Sequence, residues 1–227
     1  MIVGEHKAIE EIMESVKEYS KVLVLGCRTC VSVSLTGGDR AAKLLAEALK
    51  HAFQDSGKPY LFEHTSIERQ CERDWIAPFF DLPEGVEAIL SLACGAGVQT
   101  MADEFKGIPV LPALNTTFIG ALDQRGRLDE KCVGCGDCVL ALTGGICPIA
   151  RCAKRLFNGP CGGSSQGKCE ISISAGREVP CAWAQIINRL SELNKLDNYE
   201  KISSVKNWSN SGAGGPRQLI HEGEPPL

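Results

Sequence analysis

No run of about eighteen uncharged apolar residues occurs anywhere in this 227-residue sequence, so nothing in it has the length of a membrane-spanning helix. The apolar core of an export signal is missing as well: Glu5, His6, Lys7, Glu10 and Glu11 stand where it would be. There is no basic stripe, and a net charge of −4 with a pI near 5.7 gives no electrostatic footprint for nucleic acid. No Ser-His-acid set occurs, no two carboxylates pair recognisably, and there is no internal repeat. CGAGVQT (94–100) has two glycines between a strand and a helix but lacks the full phosphate-binding fingerprint. These absences set aside a membrane span, a nucleic-acid partner and an acid-base active site, and leave a cytoplasmic protein as the expectation. The remaining composition, 44% hydrophobic and 23% charged, is ordinary for a chain that buries a core.

What the sequence does have is cysteine, twelve in all. In a reducing compartment stable disulfides are uncommon, and thiols serve as metal ligands or redox groups. The densest stretch is CVGCGDCVLALTGGICP, residues 132–148.

Apolar patterning divides the chain. Ile9, Ile12, Met13, Val16 and Tyr19 give a helix within 5–19, and KVLVLGC (21–27) reads as a buried strand. Ala41, Leu44, Leu45, Ala48, Leu49 and Phe53 share a face of a helix over 39–54, with Asp39 as its N-cap. PYLFEH (59–64), VEAILSLAC (86–94) and IPVLPAL (108–114) read as further strands, with a short helix near 98–105. Strands alternating with helices imply a mainly parallel sheet. From Asp123 regular patterning fades until Trp183, where Ile186, Ile187, Leu190 and Leu193 continue one helical face. The expectation is an α/β fold: a small, mainly parallel sheet domain over 1–122, a loop-rich cysteine-ligated iron-sulfur domain with a terminal helix over 123–200, and an extended tail over 201–227. The tail reads as solvated, with Trp208 as a residue that a partner surface would bury.

The cysteines form three sets. Cys132, Cys135, Cys138 and Cys147, the last followed by Pro148, resemble a bacterial ferredoxin run with a longer final gap. Two-residue gaps let successive thiolates of one looping backbone reach three corners of a cubane; zinc loops more often bring pairs. Cys152, Cys161, Cys169 and Cys181 follow at gaps of eight, seven and eleven residues. Gly159, Gly162, Gly163 and Gly167 between them permit the backbone turns that aim amides at a buried anion, and Arg151, Lys154, Arg155 and Lys168 stand alongside. A closed zinc site would be anionic too, so both metals stay open there, as does an exchange of Cys147 and Cys152 between neighbouring sites. In the first domain Cys27 and Cys30 follow one strand, Cys94 ends another and Cys71 lies after a third. The carboxyl ends of parallel strands share one edge, so these four define a candidate third site, with a C-x-x-C redox pair as the alternative. His64 is a further candidate near Cys71.

The block LFNGPCGGSSQGKCE with the later PCAW resembles the C-terminal module associated with methylenetetrahydrofolate reductases. The order of G-C-x-x-C, CGAGVQT, ALNTTFIG and C-x-x-C-x-x-C is similar to the MetV-type small subunit of acetogenic and related anaerobic bacteria, a component of Wood-Ljungdahl one-carbon metabolism. That resemblance implies two or three 4Fe-4S clusters, zinc remaining open at one site, that relay electrons to a flavin on a partner, the methylenetetrahydrofolate reductase catalytic subunit, fed by a further electron-donor protein. It maps Cys132, Cys135, Cys138 and Cys147 to one cluster and Cys152, Cys161, Cys169 and Cys181 to a self-contained site. In this sequence Arg28 and Ser34 stand where related subunits have Gly and a further Cys, which leaves Cys71 and Cys94 to complete the first site. The rival readings are a zinc-stabilised interaction module of the same complex and the small subunit of another redox complex.

Overall fold

The computed structural model describes residues 1–79, 81–123 and 126–212. A strand absent from the expected elements, β1 (Ile2–His6), opens the chain, and helix α1 (Ile9–Val16) buries Ile12 and Val16. KVLVLGC is β2 (Lys21–Cys27), with six of its seven residues buried. The one-turn helix α2 (Cys30–Val33), helix α3 (Gly38–Ala52), β3 (Leu61–Ile67) and the one-turn α4 (Arg73–Ile76) follow. Next come β4 (Ala88–Leu92), α5 (Gly95–Glu104) and β5 (Val110–Pro112). These four later strands form one parallel sheet in the order β3-β2-β4-β5.

Both faces of that sheet are covered. Val22, Val24, Ala88, Leu90 and Leu92 pack with residues of α1 and α3, whereas Leu25 and Ile89 pack with Ile76, Met101 and Phe105. Two covered faces explain why the strands read as unbroken apolar runs.

Helix α3 buries four of the six residues expected on its inner face, Ala41, Leu45, Leu49 and the following Phe53, but that face is shifted at its edge. Ala42 and Ala46 are buried beside Leu45 and Leu49, while Leu44 is 59% exposed and Ala48 is exposed. The cause is close approach: a Cβ on Gly26 of β2 would lie 2.6 Å from the Gly38 carbonyl oxygen at the start of the helix. Small side chains must therefore line the contact. Gly37, not Asp39, is the N-cap. The Asp39 carboxylate accepts a hydrogen bond from the Ser66 hydroxyl on β3 and pairs with Arg28 at 3.2 Å.

The segment read as one strand over 108–114 breaks at Ala113, and β6 (Leu114–Leu122) leads to β7 (Leu128–Cys132). They form a second sheet in the order β1-β6-β7, with β1 antiparallel to β6 and its register shifted between Val3 and Gly4.

The chain divides into one unit over Met1–Glu130 and a second beginning at Lys131. The second holds the one-turn helix α6 (Pro148–Arg151), α7 (Ala182–Glu192) and the one-turn α8 (Asp197–Glu200). Its buried cluster is small: Cys181, Trp183, Ile186 and Leu190, with Ile146, Cys152 and Leu156 packed against it. The Trp183 indole N–H donates to the Leu156 carbonyl at 2.9 Å. Leu193, expected on the buried face, is 42% exposed.

The start of the tail is fastened down. The Asn158 side chain donates to the Ser203 carbonyl at 3.1 Å and accepts from its N–H at 2.8 Å. Residues 213–227 of the expected extended tail lie outside the described residues. Among the described residues no helix is long and apolar enough to cross a membrane.

Gly26→Ala tests the close approach. A methyl 2.6 Å from a backbone oxygen forces the strand and helix apart, and urea unfolding should show a loss of about 1–3 kcal/mol. Gly107→Ala, where an added Cβ meets nothing within 4 Å, should be close to neutral.

Candidate metal centre

The first thiol group grows out of the parallel sheet. Cys27 is the last residue of β2, Cys30 the first of α2, and Cys94 the N-cap of α5 directly beyond β4. Cys71 lies in the connection after β3, one residue beyond the fully buried Gln70. Gln70 donates to the Leu25 carbonyl of β2 at 2.9 Å and accepts from the Ser91 hydroxyl of β4 at 2.6 Å. One side-chain amide thus spans two strands and fixes where Cys71 begins. Gly97 makes room for it: a Cβ there would sit 3.1 Å from the Gln70 Cβ and 2.8 Å from the Ala93 Cβ.

These thiols feel one another. Burial first, and then the neighbouring thiols of Cys94 and Cys27, push Cys71 above the usual thiol range. Arg69, paired with Glu72 at 2.8 Å, lies within the electrostatic reach of Cys71 and Cys30. Cys27 Sγ is 3.7 Å from the Thr29 hydroxyl and donates to the Glu68 carbonyl at 3.9 Å. The two departures from the related pattern are engaged elsewhere: Arg28 reaches Ser66 and Asp39, and Ser34 reaches Thr36 and the Val31 carbonyl. His64 is exposed in the middle of β3, opposite Val24, short of the strand end from which Cys71 departs. A cavity of about 800 Å³ opens beside α1 and α3, lined by His6, Ile9, Leu35, Arg40 and Leu44, and no cysteine lines it.

The second group starts at Cys132, the last residue of β7, and runs along the following loop to Cys147, the N-cap of α6. Its amides already point at sulfur: the Gly134 N–H donates to Cys132 Sγ at 3.3 Å, and the Ala150 N–H donates to Cys147 Sγ at 3.5 Å, with Pro148 at the first position of α6. Gly134 and Gly136, at φ of 65° and 76°, take the left-handed turns that separate Cys135 from its neighbours.

The third group is held by backbone pairing. The Cys169 N–H donates to the Val179 carbonyl and the Cys181 N–H to the Gly167 carbonyl, both at 2.8 Å, laying 167–169 against 179–181. Gly167, at φ of 75°, makes the turn. Cys152, Cys161, Cys169 and Cys181 all line one pocket of about 10 Å³, closed by Lys154, Pro160, Ser164, Glu170 and Trp183. Burial pushes the Cys181 thiol up, but the Ser164 hydroxyl and the N–H groups of Ala184 and Trp183 outweigh it, leaving its pKa below the usual thiol range. These amides lie toward the sulfur without completing an N-cap hydrogen bond.

The cations expected around this group are mostly paired with other partners. Lys154 joins Glu170 at 2.5 Å and also feels Cys161. Lys168 pairs with Glu178, and Arg151 donates to Gln185 at 3.5 Å. A Cβ on Gly163 would meet the Glu170 carboxylate at 1.8 Å, so this carboxylate packs directly on the Gly163 backbone.

All twelve cysteines are free thiols. Among the described residues no three Cys, His, Asp or Glu side chains stand at the spacing of ligands to a single ion. The donor chemistry still fits soft metals: the three groups are thiol-only, a set that selects zinc or iron-sulfur clusters over oxygen-seeking cations. Amides aimed at sulfur are what a bound thiolate needs.

The fold and these groups define a parallel α/β unit joined to a thiol-rich unit with a very small core. Residues 111–209 match the family described as "Methylene-tetrahydrofolate reductase C terminal". That segment, which holds the second and third thiol groups and α7, is similar to a family named for methylenetetrahydrofolate reductase. No curated protein and no solved structure matches the chain.

The proximity of the first-group thiols has a direct test. In protein stripped of metal, Cys71 should alkylate only at a pH above the ordinary thiol range. Cys94→Ser, by removing a neighbouring charge that raises it, should move that profile to lower pH, as read by mass spectrometry of iodoacetamide-treated peptides. An unmoved profile would place the two thiols out of mutual reach.

Proposed function

We propose that this chain is an iron-sulfur electron-relay subunit that serves a flavin-bearing methylenetetrahydrofolate reductase partner. The observation that carries the reading is the arrangement of thiols. Twelve free cysteines fall into three groups, one at the carboxyl edge of the parallel sheet and two on loops whose amides or turns suit a bound anion, in a chain whose residues 111–209 match a family named for that reductase. When bound, clusters would supply one-electron transfer at potentials set by hydrogen bonds and burial. The chain's own residues would hold and tune them: Cys132, Cys135, Cys138 and Cys147 at one site, and Cys27, Cys30, Cys71 and Cys94 at another.

The third group supports a second reading for its own metal. Four cysteines line a pocket of about 10 Å³, close to the room for one water-sized sphere. That suits a single zinc ion better than an eight-atom cluster. In this reading Cys152, Cys161, Cys169 and Cys181 brace the second unit, and the relay runs through the other groups.

Anaerobic metal and sulfide analysis with paramagnetic resonance of the reduced protein tests both. The expected result is about four iron and four sulfide per cluster, a visible absorption that bleaches on reduction, and one zinc that survives mild iron chelation. Cys135→Ser should remove one cluster's iron and leave the zinc. A colourless chain with zinc alone rejects the relay and leaves the interaction module.

A further inference from the structure

Lys206 is a lysine with almost no access to water, although it lies near the end of the described chain. Its side chain is 2% exposed. Its Nζ donates to the backbone carbonyl of Asp137, stands 3.6 Å from the Asp137 carboxylate, and lies 5.6 Å from the centre of the Trp208 ring. The Asn207 N–H adds a bond to the same carboxylate at 3.3 Å. Together with Asn158 and Ser203, these contacts lay residues 203–208 across the loop that carries Cys135 and Cys138.

The compensation for this buried cation is thin. Burying an ammonium is costly unless it is well paired. Here the partners are one neutral carbonyl, one carboxylate that is itself 43% exposed, and one ring face. The same Asp137 carbonyl oxygen that accepts from Lys206 also accepts from Cys135 Sγ at 3.9 Å. Lysine and thiol therefore converge on one atom, with Cys138 the next residue along the chain.

We propose that Lys206 is a positioning residue for the group Cys132, Cys135, Cys138 and Cys147: its ammonium is the fixed countercharge of these thiolates, and residues 203–208 are the strap that delivers it. The proposal rests on the reading above that this group takes metal. The thiolates add negative charge to that of the single Asp137 carboxylate, which is itself half in water. A cation held there favours the more negative, reduced form of a cluster.

Two variants separate charge from packing in the full-length protein. Lys206→Gln can still donate to the Asp137 carbonyl but carries no charge, and Lys206→Arg keeps the charge. In iron-loaded protein, Lys206→Gln should lower the midpoint of the signal lost in Cys135→Ser. The expected change is about tenfold in the reduced-to-oxidised ratio at fixed potential, which for one electron is about 59 mV. Lys206→Arg should stay near the parent. If the group loads zinc instead, Lys206→Gln should hold that zinc about tenfold less tightly against a chelator.

A parent in which Cys135→Ser removes neither iron nor zinc fails at the earlier reading of this group and removes this proposal with it. A parent that loads the group of Cys132, Cys135, Cys138 and Cys147 with iron or zinc, with Lys206→Gln matching it in potential or in retention at that group, overturns the proposal alone.

Discussion

Two backbone hydrogen bonds, Cys169 to Val179 and Cys181 to Gly167, are the constraint on which the second unit depends. They bring residues twelve apart in sequence onto one pocket, and they deliver Cys181 to the start of α7. Two residues later Trp183 enters the small apolar cluster and anchors Leu156 through its indole. The thiol pocket and the apolar core are thus neighbours along one helix. With so few buried side chains, apolar burial alone is a weak brace for a unit of this length, and ligation is the natural supplement.

The first unit solves its problem in the opposite way. Its sheet is covered on both faces, so its stability comes from packing, and its thiols are placed by topology. Parallel strands deliver Cys27 and Cys94 at their carboxyl ends, and Gln70 ties the approach to Cys71 back to β2 and β4. A buried amide with both ends bonded is a costly thing to replace: its loss would strip the Ser91 hydroxyl of its partner and take one bond from the Leu25 carbonyl, and a buried group left unsatisfied costs about 1–3 kcal/mol.

Much of this was legible in residue order. KVLVLGC matched β2 because a strand buried on both faces must be apolar throughout. The parallel order followed from strands alternating with helices. β1 was hidden because IVGEH is short, interrupted by glycine and half polar, and β6 because NTTFIGAL faces outward on several positions. The buried face of α3 was read correctly at Ala41, Leu45, Leu49 and Phe53 and wrongly at its edge, where Ala42 and Ala46 rather than Leu44 and Ala48 lie inside, beside the approach of Gly26 to Gly38. Gln70 and Lys206 gave no signal at all. Polar residues in polar stretches look solvated until a fold surrounds them, whereas the spacing of cysteines shows without any fold.

Cys181 is also the last of the twelve thiols. A ribosome releases the other three of its group well before it, and releases α7 only afterwards. A nascent chain therefore exposes an incomplete set of reactive sulfurs for as long as it takes to reach the helix that closes their pocket. On the proposed reading, this group is complete only once Cys181 and α7 have emerged, and metal delivered earlier would meet three of its four thiols.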